Sequence, residues 1–331
     1  MAKYKVVVTD SEYTSFEPEK DVFSDLDVEL VFEQCRTEEE VIEKCRDADA
    51  LLNQYAPLGT KVIEALDNCK VIARYGVGFN TVDVAKANEK GIVVSNVTDY
   101  CLDEVADHAM ALLLASARKT VLLNQNVKAG EWDFNAAAPM YRLRGSTLGL
   151  IGFGNIPQNL TKKAQAFGLR VIAFDPFVPE EMAGELGVEL LELNEVCRES
   201  DYISVHLPLN ARTEKIISKD QFAAMKETAC IINTARGPII DEQALIDALR
   251  KKEIAGAALD VLEKEPVEKN NPLLTMDQVI LNPHAAFYSV EAEQELKRKS
   301  AQNIADVLNG FFPKYLVNRE VEDRLSLETK Y

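Results

Sequence analysis

Thr147-Leu-Gly-Leu-Ile-Gly-Phe-Gly-Asn-Ile-Pro157, followed by Arg170-Val-Ile-Ala-Phe-Asp175, is the stretch that decides the fold. A mostly apolar run enters Gly152-Phe-Gly154, an amphipathic segment follows, and a second apolar run ends on an acid, which reads as one strand-helix-strand unit. Gly152 permits a tight turn, Gly154 lets backbone approach a pyrophosphate, and the amides opening the helix at Asn155 and Ile156 point at negative charge. Asp175 lies about 20 residues past the glycines, the reach needed to accept hydrogen bonds from a ribose diol. Its charge repels a 2′-phosphate, so the unit favours NAD over NADP. The third small position holds Pro157, which a helix tolerates in its first turn; the expectation is a shifted helix, not a lost one. Glycines serving turn geometry alone are the competing reading, and the strand, helix and terminal acid in register weigh against it.

Outward from this unit the alternation continues both ways. Apolar runs at 4–9, 28–32, 50–52, 71–73 and 92–94, with helical patterns near 37–46, 60–67 and 81–89, predict a small α/β domain ahead of it. A single long helix is expected from Leu102 to about Lys128, then a less regular stretch, Glu131 to Gly145, with the sole tryptophan, Trp132. After Asp175, strands are expected at 202–205, 229–233, 256–259 and 279–281, separated by helices near 192–198, 219–225 and 241–251, the last capped by Asp241. One more long helix runs from Ser289 to Gly310 and has no place in the nucleotide unit. The organisation predicted is therefore residues 1–98 and 289–331 as a smaller, discontinuous, flavodoxin-like substrate domain, and 99–288 as a doubly wound Rossmann-type domain. Crossings near 99 and 288 would form a hinge beside a cleft.

At 331 residues the chain has length for about two domains. Its net charge of −17 argues against nucleic acid or an anionic membrane as partner. The six cysteines show no Cys-x-x-Cys pair and no histidine cluster, so neither a metal site nor a disulfide framework is suggested. With the N-terminus running into a strand and no apolar stretch of membrane-spanning length, the cytoplasm is the expected location.

Only three histidines are present. His108, inside the long helix, is expected to pack or to make a helix hydrogen bond. His206 and Pro208 close the strand Ile203-Ser-Val-His-Leu-Pro208 at the carboxyl edge, where open α/β sheets bind ligands, so they are assigned to the cofactor. His284, in Leu281-Asn-Pro-His-Ala-Ala-Phe287, reaches the same edge. So do Thr234-Ala-Arg-Gly237, whose Arg236 suits bidentate capture of a carboxylate, and Asp260-Val-Leu-Glu-Lys-Glu-Pro266.

These motifs, in this order, resemble the D-isomer-specific 2-hydroxyacid dehydrogenase family over nearly the whole chain. The resemblance implies that NADH and a small 2-oxo acid are interconverted with NAD and the D-2-hydroxy acid. Arg236 would hold the substrate carboxylate, His284 would be acid in reduction and base in oxidation, and Glu265 would hydrogen-bond the imidazole and favour its protonated form. It further implies that Asp260 faces the nicotinamide carboxamide, that Thr213, Thr234 and Ala235 lie near the cofactor, and that Arg74-Tyr75-Gly76-Val77-Gly78 offers backbone amides to the carboxylate. Gln54 and Tyr55 would line the same pocket, and the protein would be a homodimer through Leu102 onward and the 131–145 stretch.

Within the family, Glu265 argues against the formate dehydrogenase branch, which pairs the histidine with glutamine. The segment His284-Ala-Ala-Phe-Tyr288, with Arg74 ahead of the Gly-Val-Gly loop, resembles the phosphoglycerate dehydrogenase and C-terminal-binding-protein branch, with Phe287 where the latter carries tryptophan. That branch supplies the alternative of an NADH-sensing, corepressor-like scaffold with vestigial catalysis.

Overall fold

The computed structural model describes residues 2–331 and divides into two compact units, Met1–Cys101 with Ser289–Tyr331, and Leu102–Tyr288. Asp99–Cys101 stay with the first unit, three residues beyond the expected crossing. Asp99 holds them there, accepting hydrogen bonds from Lys299 (2.6 Å) and from the Tyr315 hydroxyl (2.8 Å).

The first unit runs β1 (Tyr4–Val8), α1 (Glu17–Phe23), β2 (Val28–Phe32), α2 (Glu38–Cys45), β3 (Ala50–Asn53), α3 (Thr60–Ala65), β4 (Val71–Arg74), α4 (Val84–Lys90) and β5 (Val93–Ser95). Its strands pair in parallel in the order β2-β1-β3-β4-β5, the flavodoxin-like order. β3, β4 and β5 are buried at every position, as strands covered on both faces must be, which is why they read as unbroken apolar runs. The exposed edge of β5 is masked by Asn318, whose amide accepts from Val94 N (2.7 Å) and donates to Ile92 O (2.8 Å) in place of a neighbouring strand.

The second unit opens with α5 (Leu102–Arg118) and α6 (Thr120–Lys128), then β6 (Thr147–Ile151), α7 (Asn155–Ala166), β7 (Arg170–Phe174), α8 (Glu180–Glu185), β8 (Glu189–Leu190), α9 (Leu193–Glu199), β9 (Tyr202–Val205), α10 (Lys219–Ala224), β10 (Cys230–Asn233), α11 (Glu242–Lys251), β11 (Gly256–Leu259) and β12 (Val279–Leu281). Its seven parallel strands are ordered β12-β11-β10-β9-β6-β7-β8. This is the doubly wound Rossmann arrangement, with the strand order reversing between β6 and β9 while every strand stays parallel. Alternate residues face opposite layers: Ile151, Ile203, Val205 and Ile231 pack with Leu245 and Leu249 of α11, while Leu148, Leu150, Ile232 and Ala258 pack with Ala109 and Leu113 of α5.

The helix expected to run unbroken from Leu102 to Lys128 is two helices. Lys119 takes a left-handed conformation (φ 47°) and α6 buries none of its own residues, so nothing in this unit holds it in line with α5. The last helix, α12 (Val290–Leu308), is capped by the Ser289 side chain on Ala292 N (2.9 Å) and packs in the first unit against α1 and β4. Among the described residues no helix is long and apolar enough to cross a membrane.

Candidate active site

The glycine-rich turn after β6 is built as its sequence requires. Gly152 sits at φ +96°, and a Cβ there would lie 2.9 Å from both C and O of His206, so only glycine lets the turn rest on that backbone. Gly154 caps α7 with no side chain of its own, and a Cβ there would meet nothing within 4 Å. The amides of Gly154, Asn155 and Ile156 therefore open toward free space, without an acceptor among the described residues. Such a cradle fits a pyrophosphate. Pro157 is buried in the first turn of an intact α7, where no amide is needed. Asp175 follows β7; its Oδ2 accepts from Phe153 N (2.8 Å) and its Oδ1 from Phe177 N (3.0 Å), which ties the second strand's end to the glycine turn. A carboxylate accepts about four hydrogen bonds, so each oxygen keeps capacity for a ribose hydroxyl.

Across the sheet's carboxyl edge, His206 Nε2 meets Ser204 Oγ at 2.8 Å, and burial pushes the imidazole down to about 3. It is a neutral wall of the turn, unsuited to proton transfer near pH 7. Thr213 spends its hydroxyl inside its own loop, donating to Pro208 O (2.6 Å) and accepting from Asn210 N (2.9 Å); it shapes the 208–213 loop and offers little to a ligand. Thr234 Oγ1 is buried without a partner among the described residues, as expected of a group awaiting a ligand.

Three loops carry the candidate chemistry. After β10, Asn233 Oδ1 accepts from Ala235 N (2.9 Å) and its Nδ2 donates to Arg236 O (3.0 Å), folding Thr234–Gly237 into a fixed loop. Arg236 Nη1 donates to Ala235 O (2.6 Å), leaving the Nε and Nη2 side of the fork without a protein partner among the described residues. That side matches a carboxylate. After β11, Glu265 Oε1 accepts from Leu262 N (2.9 Å) and Oε2 meets His284 Nδ1 at 2.7 Å. Burial works to raise the Glu265 carboxyl, but His284, the Leu262 amide and the Arg236 guanidinium outweigh it and hold it below the usual range. Glu265 is therefore an anion at neutral pH, and His284 Nε2 is the ring nitrogen left for a substrate.

Two features escaped sequence reasoning. Gly237 packs directly on the loop after β11: a Cβ would lie 1.8 Å from Leu262 O, so the arginine and glutamate loops meet backbone to backbone only because this residue is glycine. Asp260 is 1% exposed, and its two oxygens accept from Ala285 N (2.8 Å) and Ala286 N (2.9 Å). Its carboxylate thus fixes the loop of His284, and with one bond on each oxygen it keeps capacity for a further donor such as a carboxamide. A neighbouring Gly or a buried Asp carries no sequence signal for such contacts.

In the first unit the sequence grouping holds in part. Tyr75 turns inward, its hydroxyl donating to Glu19 (2.7 Å) at 4% exposure, so its side chain belongs to the core and not to a ligand surface. Gln54 is likewise buried, accepting from Glu12 N (2.9 Å). Arg74 is a brace: Nε donates to Gly78 O (2.8 Å) and Nη1 to Asn53 O (3.1 Å), which shapes the turn. The amides of Tyr75 and Gly76 are taken by Asn53 O and Arg74 O, whereas those of Val77 and Gly78 have no acceptor among the described residues. Tyr55 stands 47% exposed at the same edge of this unit's sheet.

Residues 110–286 match the family model described as the NAD-binding domain of D-isomer specific 2-hydroxyacid dehydrogenases. The chain is 44% identical over 284 residues to a D-3-phosphoglycerate dehydrogenase of Methanocaldococcus jannaschii, covering 85% of this chain and 54% of that protein. It is 38% identical over 286 residues to a glyoxylate reductase of Korarchaeum cryptofilum, covering 85% of this chain and 86% of the relative. It thus spans about half the length of the first and most of the second. Among solved structures, a glyoxylate reductase from Paecilomyes thermophila superposes with a TM-score of 0.87 at 28% identity, over 97% of this chain and 100% of that one.

Proposed function

The chain belongs to the D-isomer-specific 2-hydroxyacid dehydrogenase family, and from that premise we propose that it reduces a small 2-oxo acid to the D-2-hydroxy acid with NADH, reversibly. The observation that carries the reading is the 2.7 Å pair of His284 Nδ1 and Glu265 Oε2, with Arg236 presented by the adjoining loop. The 152–156 turn would hold the pyrophosphate of NAD(H) and Asp175 its ribose, and the bound cofactor would supply the hydride in reduction and accept it in oxidation. The fork of Arg236 binds the substrate carboxylate and fixes which carbon faces it. His284 Nε2 gives its proton to the carbonyl oxygen during reduction and takes it back from the hydroxyl during oxidation. Glu265 holds the ring through Nδ1, so that Nε2 is the nitrogen that exchanges the proton and the imidazolium has an anion beside it.

A screen of glyoxylate, hydroxypyruvate and longer 2-oxo acids, each with NADH and with NADPH, tests it. The expected result is NADH oxidation with at least one of the short acids and weaker use of NADPH, because Asp175 repels the 2′-phosphate. Tight NADH binding with no oxidation by any acid would overturn the dehydrogenase reading in favour of the redox-sensing scaffold.

We further infer a homodimer through α6 and the 131–145 stretch. Trp132 (89% exposed) and Phe134 (75%) stand out from the second unit, and α6 has no buried face. Solitary surface apolar residues are common; a run of this size is better explained by a covered surface. Sedimentation at micromolar concentration should return a mass of two chains, and the double variant Trp132→Asp, Phe134→Asp a mass of one. A wild-type monomer would refute the assignment.

A further inference from the structure

We propose that His108 is a positioning residue for His284, acting through Asp260; the inference rests on the reading of His284 as acid and base. His284 sits at φ +53°, a left-handed conformation that side chains other than glycine adopt seldom and that its surroundings must enforce. The enforcement comes from Asp260. Its backbone oxygen accepts from His284 N (2.7 Å) and its carboxylate oxygens from Ala285 N and Ala286 N (2.8 and 2.9 Å), so one residue holds three consecutive amides.

That carboxylate is buried with only two neutral donors on it, and has capacity for more. His108 is placed to supply one more. Its Nε2 lies 3.5 Å from Asp260 Oδ1 and is itself buried without a hydrogen-bond partner among the described residues. In its Nε2–H tautomer the ring is a donor lacking an acceptor, and it faces an acceptor with spare lone pairs. The separation is just beyond a formed hydrogen bond, and an approach of less than about 1 Å makes one. The neutral Nε2–H tautomer suffices, so the contact needs no change of charge. The mount is firm: Ala106, Ala109, Met110 and Leu113 seat α5 in the same core layer as Ile232 of β10 and Ala258 of β11, two residues before Asp260. His108 thus keeps Asp260 in place, and Asp260 keeps the imidazole of His284 aimed.

Three proteins test this: wild type, His108→Leu and His108→Gln, the last keeping an N–H donor near the Nε2 position. The first readout is hydrogen exchange of the 281–287 segment in the protein without cofactor. The second is kcat on the best 2-oxo acid, with Kd for NADH measured separately. His108→Leu should exchange that segment about tenfold faster and lose about tenfold in kcat at unchanged NADH affinity, as a small misalignment of a reacting group would produce. His108→Gln should return both to within about threefold of wild type. Wild-type exchange and kcat in His108→Leu, or equal damage in both variants, would overturn the proposal and leave the ring as packing. If wild type turns over no 2-oxo acid, the dehydrogenase reading fails, while the exchange comparison still decides whether His108 supports Asp260.

Discussion

His284→Ala should lower kcat by about 10²–10⁴-fold, the usual worth of a positioned acid and base, while changing Kd for NADH by less than about twofold. The separation follows from the structure. His284 lies after β12 and is joined to Glu265, whereas the amides that open toward a pyrophosphate belong to the turn after β6. Arg236→Ala should match the loss in kcat/KM and also raise KM, since the carboxylate loses its fork; Arg236→Lys should restore little, an ammonium being unable to make the planar bidentate contact. Glu265→Gln should cost less than removal of the imidazole, because an amide oxygen can still accept from Nδ1 but brings no charge to favour the imidazolium. Fluorescence titration with NADH and steady-state rates on the same preparations check all four variants. Near wild-type turnover in both His284→Ala and Arg236→Ala would remove the chemistry proposed for this edge of the sheet.

The legibility of this site in the sequence divides along a physical line. The glycine turn and Asp175 could be read because their interactions are short in sequence and involve backbone: a φ of +96° demands glycine, and an acid ending the next strand lies within reach of the turn. The strands could be read because burial on both faces makes them continuous apolar runs. By contrast α1 escaped notice: its seven residues, Glu-Pro-Glu-Lys-Asp-Val-Phe, carry almost no apolar period, and tertiary packing of Pro18, Glu19 and Phe23 decides its fate. β8, two residues long, is a strand only by virtue of pairing with β7. The break at Lys119 was hidden because Lys and Thr suit a helix well enough; what ends α5 is the end of its buried stripe at Ala117. The same line separates the active-site residues. Residue types named Arg236, Glu265 and His284, but Asp260, Tyr75 and Gln54 are polar groups whose partners lie on other segments, and no spacing reports where their oxygens will be spent.

Gly237→Ala should damage the protein more than any other single methyl group added near the site. The Cβ would stand 1.8 Å from Leu262 O, 1.9 Å from Leu262 C and 2.5 Å from Glu263 N, all of them backbone atoms that no rotamer change can move aside. To reach ordinary contact the Thr234–Gly237 loop and the loop after β11 must separate by more than about 1 Å, and overpacking of this kind costs about 1–3 kcal/mol, occasionally more. The displacement falls between Arg236 and the Glu265 carboxylate that anchors His284, so a protein that still folds should lose about 10²-fold in kcat/KM from misplacement alone. Gly154→Ala is the informative contrast. Its Cβ meets nothing within 4 Å, and its backbone (φ −76°) is open to any residue, so the melting temperature should hold. The methyl group would instead occupy the space assigned to the pyrophosphate, and NADH affinity should fall. Thermal melts with and without NADH separate the two: Gly237→Ala lowers the melting temperature in both conditions, while Gly154→Ala loses only the increment that NADH adds. A Gly237→Ala protein with wild-type melting and rate would mean that the two loops do not meet as described, and Arg236 would then need another route to the histidine and its carboxylate.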